Sequence, residues 1–271
     1  VPKDALEKML WADADKLGWF INTVTDPVLE KEKQVVKNEK RQSVDNNPYG
    51  HTSYVIDKAM YPADHPYNWQ VIGSLEDLDN AQLKDVKDFF RRWYVPNNVT
   101  LTVAGDFDTV QARKWVEKYF GEIKRGEETP PQTKRPGVVK ETVKLYHEDN
   151  FARLPELTYA WPTVEQYNAD EPALDILANY LTRGKNSPFY KVIVEEKKLA
   201  PNVGMFNGSS ELAGDIQLSV RAFADKDLDD VAKAIDEAFA RFERDGIPQK
   251  DLDRIKAGLE TQFYSGLSSV L

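Results

Sequence analysis

Cysteine is absent from the sequence. That excludes disulfides and thiolate metal sites, and it fits a reducing or an oxidising compartment equally well. Histidine is scarce: the 271 residues hold three, His51, His65 and His147. None stands at the i, i+3 or i, i+4 spacing that puts two ligands on one helix face. Long apolar runs are missing too. No stretch approaches about 18 apolar residues, so no membrane span is expected. Basic excess is also lacking, with 45 acidic against 36 basic residues and a net charge of −9, which argues against a nucleic-acid partner.

What is present supports a folded core. Hydrophobic residues make up 41% and aromatics 11%, too much for a disordered chain and enough for one large domain or two moderate ones. The sequence opens with Val-Pro-Lys-Asp, without an initiator methionine or a signal peptide, and ends in Ser-Gly-Leu-Ser-Ser-Val-Leu just after a helical pattern. Both ends read as cuts through a larger polypeptide, the N-terminal one alternatively as natural processing.

Periodicity predicts a helix over 3–21 and a second, charged helix from Asp26, as N-cap, with Pro27 in its first turn. At roughly 100° per residue, Val28, Leu29, Val35 and Val36 share an arc of about 120°. Glu32 and Glu39 fall inside that arc, whereas Lys31, Lys33, Lys37, Lys40 and Arg41 fall outside it. The pattern therefore puts two carboxylates on a face expected to be buried, where an ionised group is costly unless it is paired or binds a metal. Two readings follow. One is a helix or domain interface neutralised by arginines; the other is a metal site or a general base, with one glutamate as ligand and the other orienting a neighbour.

Further along, a turn and helix are expected over 75–94, with Leu83, Val86, Phe89, Phe90 and Trp93 inward. A strand follows at 99–104, and then a helix over 109–120 capped by Asp108. Gly121, Gly126, Pro130, Pro131, Pro136 and Gly137 mark an interdomain connection. Beyond it, strands are expected near 141–147 and 156–161 and a hairpin within 202–224, with helices over 171–181, 188–196, 228–244 and 250–263. Strands separated by helix pairs indicate an α+β fold. His65, between prolines and tyrosines, reads as a structural hydrogen-bonding residue, and His51 and His147 read as surface residues. Ser187 has no histidine nearby in sequence to activate it.

Several segments together resemble the insulinase/pitrilysin family of zinc metallopeptidases, the inverzincins, whose signature is His-x-x-Glu-His. They are the Glu32-x6-Glu39 helix, and Tyr61-Pro62-Ala63-Asp64-His65-Pro66-Tyr67 with Ile72-Gly73-Ser74 and Leu78. To these add Phe89-Phe90-x3-Tyr94-x-Pro96-Asn97-Asn98 running into Gly105-Asp106-Phe107-Asp108, and Ser187-Pro188-Phe189-Tyr190 with Leu199-Ala200. The resemblance covers essentially the whole chain and implies two related domains, each a mostly antiparallel sheet packed against helices. Together they would form half of a clamshell whose other half, on the same chain or on a partner subunit, encloses a peptide substrate.

It implies further that residues 1–125 are the C-terminal part of a zinc-binding catalytic domain and that 126–140 form a linker. Residues 141–271 would be a second, non-catalytic domain, truncated at its C-terminus. Glu39 would be a zinc ligand and Glu32 would support a metal-binding histidine from the outer shell. The glutamate of the inverted motif would activate the zinc-bound water. No His-x-x-Glu-His occurs here, so no catalytic residue is expected in this chain, and zinc, one ion per catalytic domain, is not expected to be held by these residues alone. The family's substrate-positioning Arg and Tyr correspond to Val194 and Pro201, which agrees with a non-catalytic second domain. The resemblance also points to a periplasmic or otherwise exported bacterial protein. The runner-up is a non-catalytic structural or interaction subunit of the same fold, and a third reading is an acidic peptide-binding module.

Overall fold

The computed structural model describes residues 1–268, so the end of the expected second domain, 269–271, lies outside the described residues. In chain order the helices are α1 Leu6–Gly18, α2 Asp26–Lys40, α3 Thr52–Met60, α4 Leu75–Asn80, α5 Leu83–Trp93, α6 Thr109–Phe120, α7 Glu171–Thr182, α8 Leu228–Asp245 and α9 Gln249–Gly266. The strands are β1 Glu156–Thr163, β2 Gly204–Ser209 and β3 Gly214–Arg221. Wider π turns follow α2 at Arg41–Asp45 and occupy Tyr190–Glu196.

The described residues form two compact units, Val1–Lys40 with Val71–Pro131, and Arg41–Gln70 with residues 132–268. The chain thus passes between them inside the 126–140 connection, but Arg41–Gln70 goes with the second unit. The reason lies in its anchors there. Tyr49 Oη donates to the Leu154 carbonyl at 2.9 Å, Met60 and Tyr61 pack with Ala213, and His65 Nε2 meets the Arg135 carbonyl at 2.9 Å.

In the first unit α1 lies against α6. Leu10, Ala14 and Leu17 recur along the buried face of α1, and Ala112 on α6 is buried. Tyr119 Oη on α6 donates to Glu7 of α1 at 2.8 Å. Asp108 caps α6, its Oδ1 accepting from the Gln111 N–H at 2.8 Å. Of the inward face expected for α5, Phe90 is buried and Leu83, Val86 and Trp93 are half-buried, but Phe89 is 58% exposed. The segment 99–104 is not a paired strand, and neither is 141–147 in the second unit. Both carry strand-forming residues, but a strand exists only by hydrogen-bonding to a neighbour, and among the described residues neither has one.

The second unit is built on an antiparallel sheet of order β1-β3-β2. Leu218, at the centre of β3, pairs with Tyr159 on one side and Met205 on the other. Alternate β3 residues Ile216, Leu218 and Val220 are buried, the two-residue period of a strand with one covered face. Onto that face pack α7, the Tyr190–Glu196 turn and α8, bringing Leu181, Phe189, Ile193 and Ile235 to zero exposure. Gly214 opens β3 at a backbone crossing; a Cβ there would lie 2.2 Å from the Val164 carbonyl oxygen. Of the expected strands, 156–161 and the hairpin form, and the α+β class stands.

Candidate functional site

Glu32 and Glu39 stand two helical turns apart on α2, a rise of about 10 Å along its axis. Both are exposed, and so are their neighbours on that face, Val28 at 42% and Val35 at 49%. The expected buried stripe is therefore only partly covered, with Leu29 and Val36 half-buried, and the buried residue of α2 is a lysine, Lys33, at 6%. The lysine face wins because α4 ends beside it. Lys33 Nζ donates to the Asp79 carbonyl at 3.3 Å and pairs with Glu30 at 2.8 Å. Lys37 pairs with the Asp79 carboxylate, and Lys40 donates to the Gly73 carbonyl at 3.0 Å. The last carbonyls of a helix lack intrahelical partners and carry partial negative charge, so cations are favoured there. The lysine stems cover apolar surface while their heads reach these oxygens.

The donor set on α2 does not by itself make a zinc site. Glu39 offers one carboxylate, a structural or catalytic zinc takes at least three protein ligands, and among the described residues no group of three or more His, Asp or Glu side chains is arranged to hold a metal.

His65 is a core residue, 1% exposed. Its Nδ1 accepts from the Tyr67 N–H at 2.9 Å, so Nε2 carries the proton and donates to Arg135 O at 2.9 Å. The ring stacks on Tyr61 with centroids 4.6 Å apart. Both nitrogens are occupied, so His65 ligates nothing. Ser187 Oγ is buried without a hydrogen-bond partner among the described residues, which is not the setting of an activated nucleophile. Val194 packs at the edge of the second unit's core.

Two groupings had no signal in the sequence. In the second unit, burial first and the neighbouring Asp215 second raise the Asp57 carboxyl to about 6. Burial likewise raises Asp215 and Tyr61, against a bond from Gln217 that favours ionised Asp215. Also in that unit, His51 and His147 come ring to ring, at 5.3 Å between centroids. Neither group could be found by spacing, because each joins segments far apart in the chain.

The profile of the Peptidase M16 inactive domain matches residues 80–259, more than half of the chain. The chain belongs to this family. It is 28% identical over 270 residues to zinc protease PqqE of Helicobacter pylori, covering 97% of this chain and 59% of that protein. It is 25% identical over 256 residues to the uncharacterized zinc protease YmxG of Bacillus subtilis, covering 93% of this chain and 59% of YmxG. The crystal structure of a protease from Helicobacter pylori superposes with a TM-score of 0.85 at 25% identity, over 98% of this chain and 64% of that one. The M16 chain described here thus spans about three fifths of the relatives it matches. No described helix is long and apolar enough to cross a membrane.

Proposed function

We propose that these residues are part of a zinc-dependent metallopeptidase, an endopeptidase or oligopeptidase, in which α2 supplies one zinc ligand and the rest is scaffold. The carrying observation is the face of α2: two carboxylates two turns apart, flanked by exposed valines, on a helix held from its other side by lysines. Exposed apolar residues beside acids suit a face that another element covers. Glu39 is the zinc ligand in this reading. Glu32 orients a histidine ligand by accepting its second ring N–H, the usual partner arrangement for a metal-bound imidazole.

Zinc protease PqqE and YmxG, whose names say zinc, support the metal. The inactive-domain match over 80–259 supports a non-catalytic role for the second unit. We assign 1–125, apart from Arg41–Gln70, which packs within the second unit, to the rear of the catalytic domain, 126–140 to the connection and the remainder to the non-catalytic domain. A second clamshell half, on the same polypeptide or on a partner, completes the peptide-binding chamber, and the protein is exported, to the periplasm in a Gram-negative cell.

The test is hydrolysis of a quenched fluorescent peptide library by the whole protein, before and after chelation. Turnover that a chelator abolishes and zinc restores supports the reading. A folded whole protein with stoichiometric zinc and no turnover on any member would favour a non-catalytic member of the family.

A further inference from the structure

Two of the three histidines in this chain, His51 and His147, face one another across two loops of the second unit. Their ring centroids lie 5.3 Å apart and the planes are tilted by 54°. A tetrahedral ion that holds two imidazole nitrogens at about 2.1 Å places the two ring centroids roughly 5.2 Å apart. The observed spacing matches that of two ligands on one ion, a distance that plain ring packing also spans, and a tilted pair, unlike a parallel stack, can turn one nitrogen of each ring toward a common point.

The loops are fixed before any ion arrives. Asp149 accepts the Tyr49 N–H at 2.7 Å on one oxygen, and the Phe151 and Ala152 N–H groups at 2.7 and 2.9 Å on the other. Tyr49 Oη donates to the Leu154 carbonyl at 2.9 Å, and Arg221 lies over the Tyr49 ring at 3.7 Å. These bonds tie the loop before His51 to the loop after His147. They also occupy Asp149, which leaves Asp45 as the carboxylate beside the pair, its Oδ1 3.7 Å from His51 Nε2. The N-terminus of α3 begins at His51 and opposes a cation; the negative charge of Asp45 offsets that.

We propose that His51 and His147 form a surface site for a borderline divalent transition-metal ion, zinc or copper, with water completing the coordination shell and Asp45 orienting His51 and balancing charge. Imidazole suits these ions above calcium or magnesium. With two protein ligands the site is weaker than a catalytic zinc site, and it shares no residue with the α2 face. By bridging the loops the ion stabilises the second unit, because a ligand that binds only the folded state raises its stability.

The test is calorimetric titration of the 271-residue chain with zinc chloride, with copper(II) electron paramagnetic resonance as the ligand readout. The expected result is one ion per chain, two nitrogen donors in the copper spectrum and a raised melting temperature with zinc. His147→Ala, a change at an exposed side chain, lowers affinity at least tenfold and removes one nitrogen from the spectrum. His51→Ala does the same, and Asp45→Asn costs severalfold. Three results would overturn the proposal: no uptake by the chain, unchanged uptake in a folded His51→Ala/His147→Ala double variant, or a copper spectrum without two nitrogens. The rings would then be a packing contact only.

Discussion

His65 and Asp57 show how burial, rather than residue type, sets a side chain's role. With both nitrogens engaged inside the second unit, His65 closes the corner between the Tyr61–Tyr67 turn and the Arg135 backbone. His65→Ala removes the ring and leaves a buried carbonyl and a buried N–H unpaired. We expect a loss of about 3 kcal/mol in urea unfolding, with no change in the metal content of the whole protein; a change in metal content would restore His65 as a ligand candidate.

Asp57 gives a pH dependence. Its carboxyl binds a proton more tightly in the folded state, at about 6, than at the ordinary value of 3.8. The folded state therefore holds more protons than the unfolded chain between these values, and the stability penalty from this group is relieved as pH falls through 6 toward 4. It is present in full above 6. Asp57→Asn should abolish this contribution: the variant gains stability relative to the parent at pH 7.5, and the gain shrinks by pH 4.5. Parallel urea midpoint profiles for the two proteins would refute the burial account.

Among the elements, the β1-β3-β2 sheet with its helices holds the greatest concentration of fully buried side chains. Leu218 is fully buried between two paired strands and under α7 and α8. Leu218→Ala should cost about 3–4 kcal/mol in equilibrium unfolding, and a loss below about 1 kcal/mol would mean the site collapses around the gap. Helices and hairpin were legible in the sequence because their signals are local: Asp108 before α6, the run of apolar residues at turn spacing in α8, the short turn at 210–213. The strands at 99–104 and 141–147 misled for the complementary reason. Alternation marks a segment able to pair, but pairing belongs to the neighbour, and the described residues hold none. The same limit applies to the face of α2. Helical periodicity put valines and glutamates together, as observed, but which face is covered depended on α4 ending beside Lys33, a tertiary fact. His51 and His147 were visible only as scarce residues, because their meeting is set by the bonds of Asp149.

For the whole molecule, family membership rests on the inactive-domain match over 80–259, and the zinc reading rests on α2. The inverted zinc motif is not in this chain, so Glu32 and Glu39 are tested where the remaining ligands are present. In the whole protein, Glu32→Gln should weaken zinc binding by roughly 10–100-fold, as removal of a residue that orients a ligand does. Glu39→Gln should cost more, since it removes a ligand outright. The most direct measurement is zinc per polypeptide, by elemental mass spectrometry after dialysis, in the wild-type whole protein and its Glu39→Gln variant, with folding matched by circular dichroism. After dialysis that empties the weaker His51/His147 site, the account predicts one zinc per wild-type catalytic domain, with occupancy and peptide turnover both collapsing in the variant; wild-type zinc content and turnover in Glu39→Gln would contradict it.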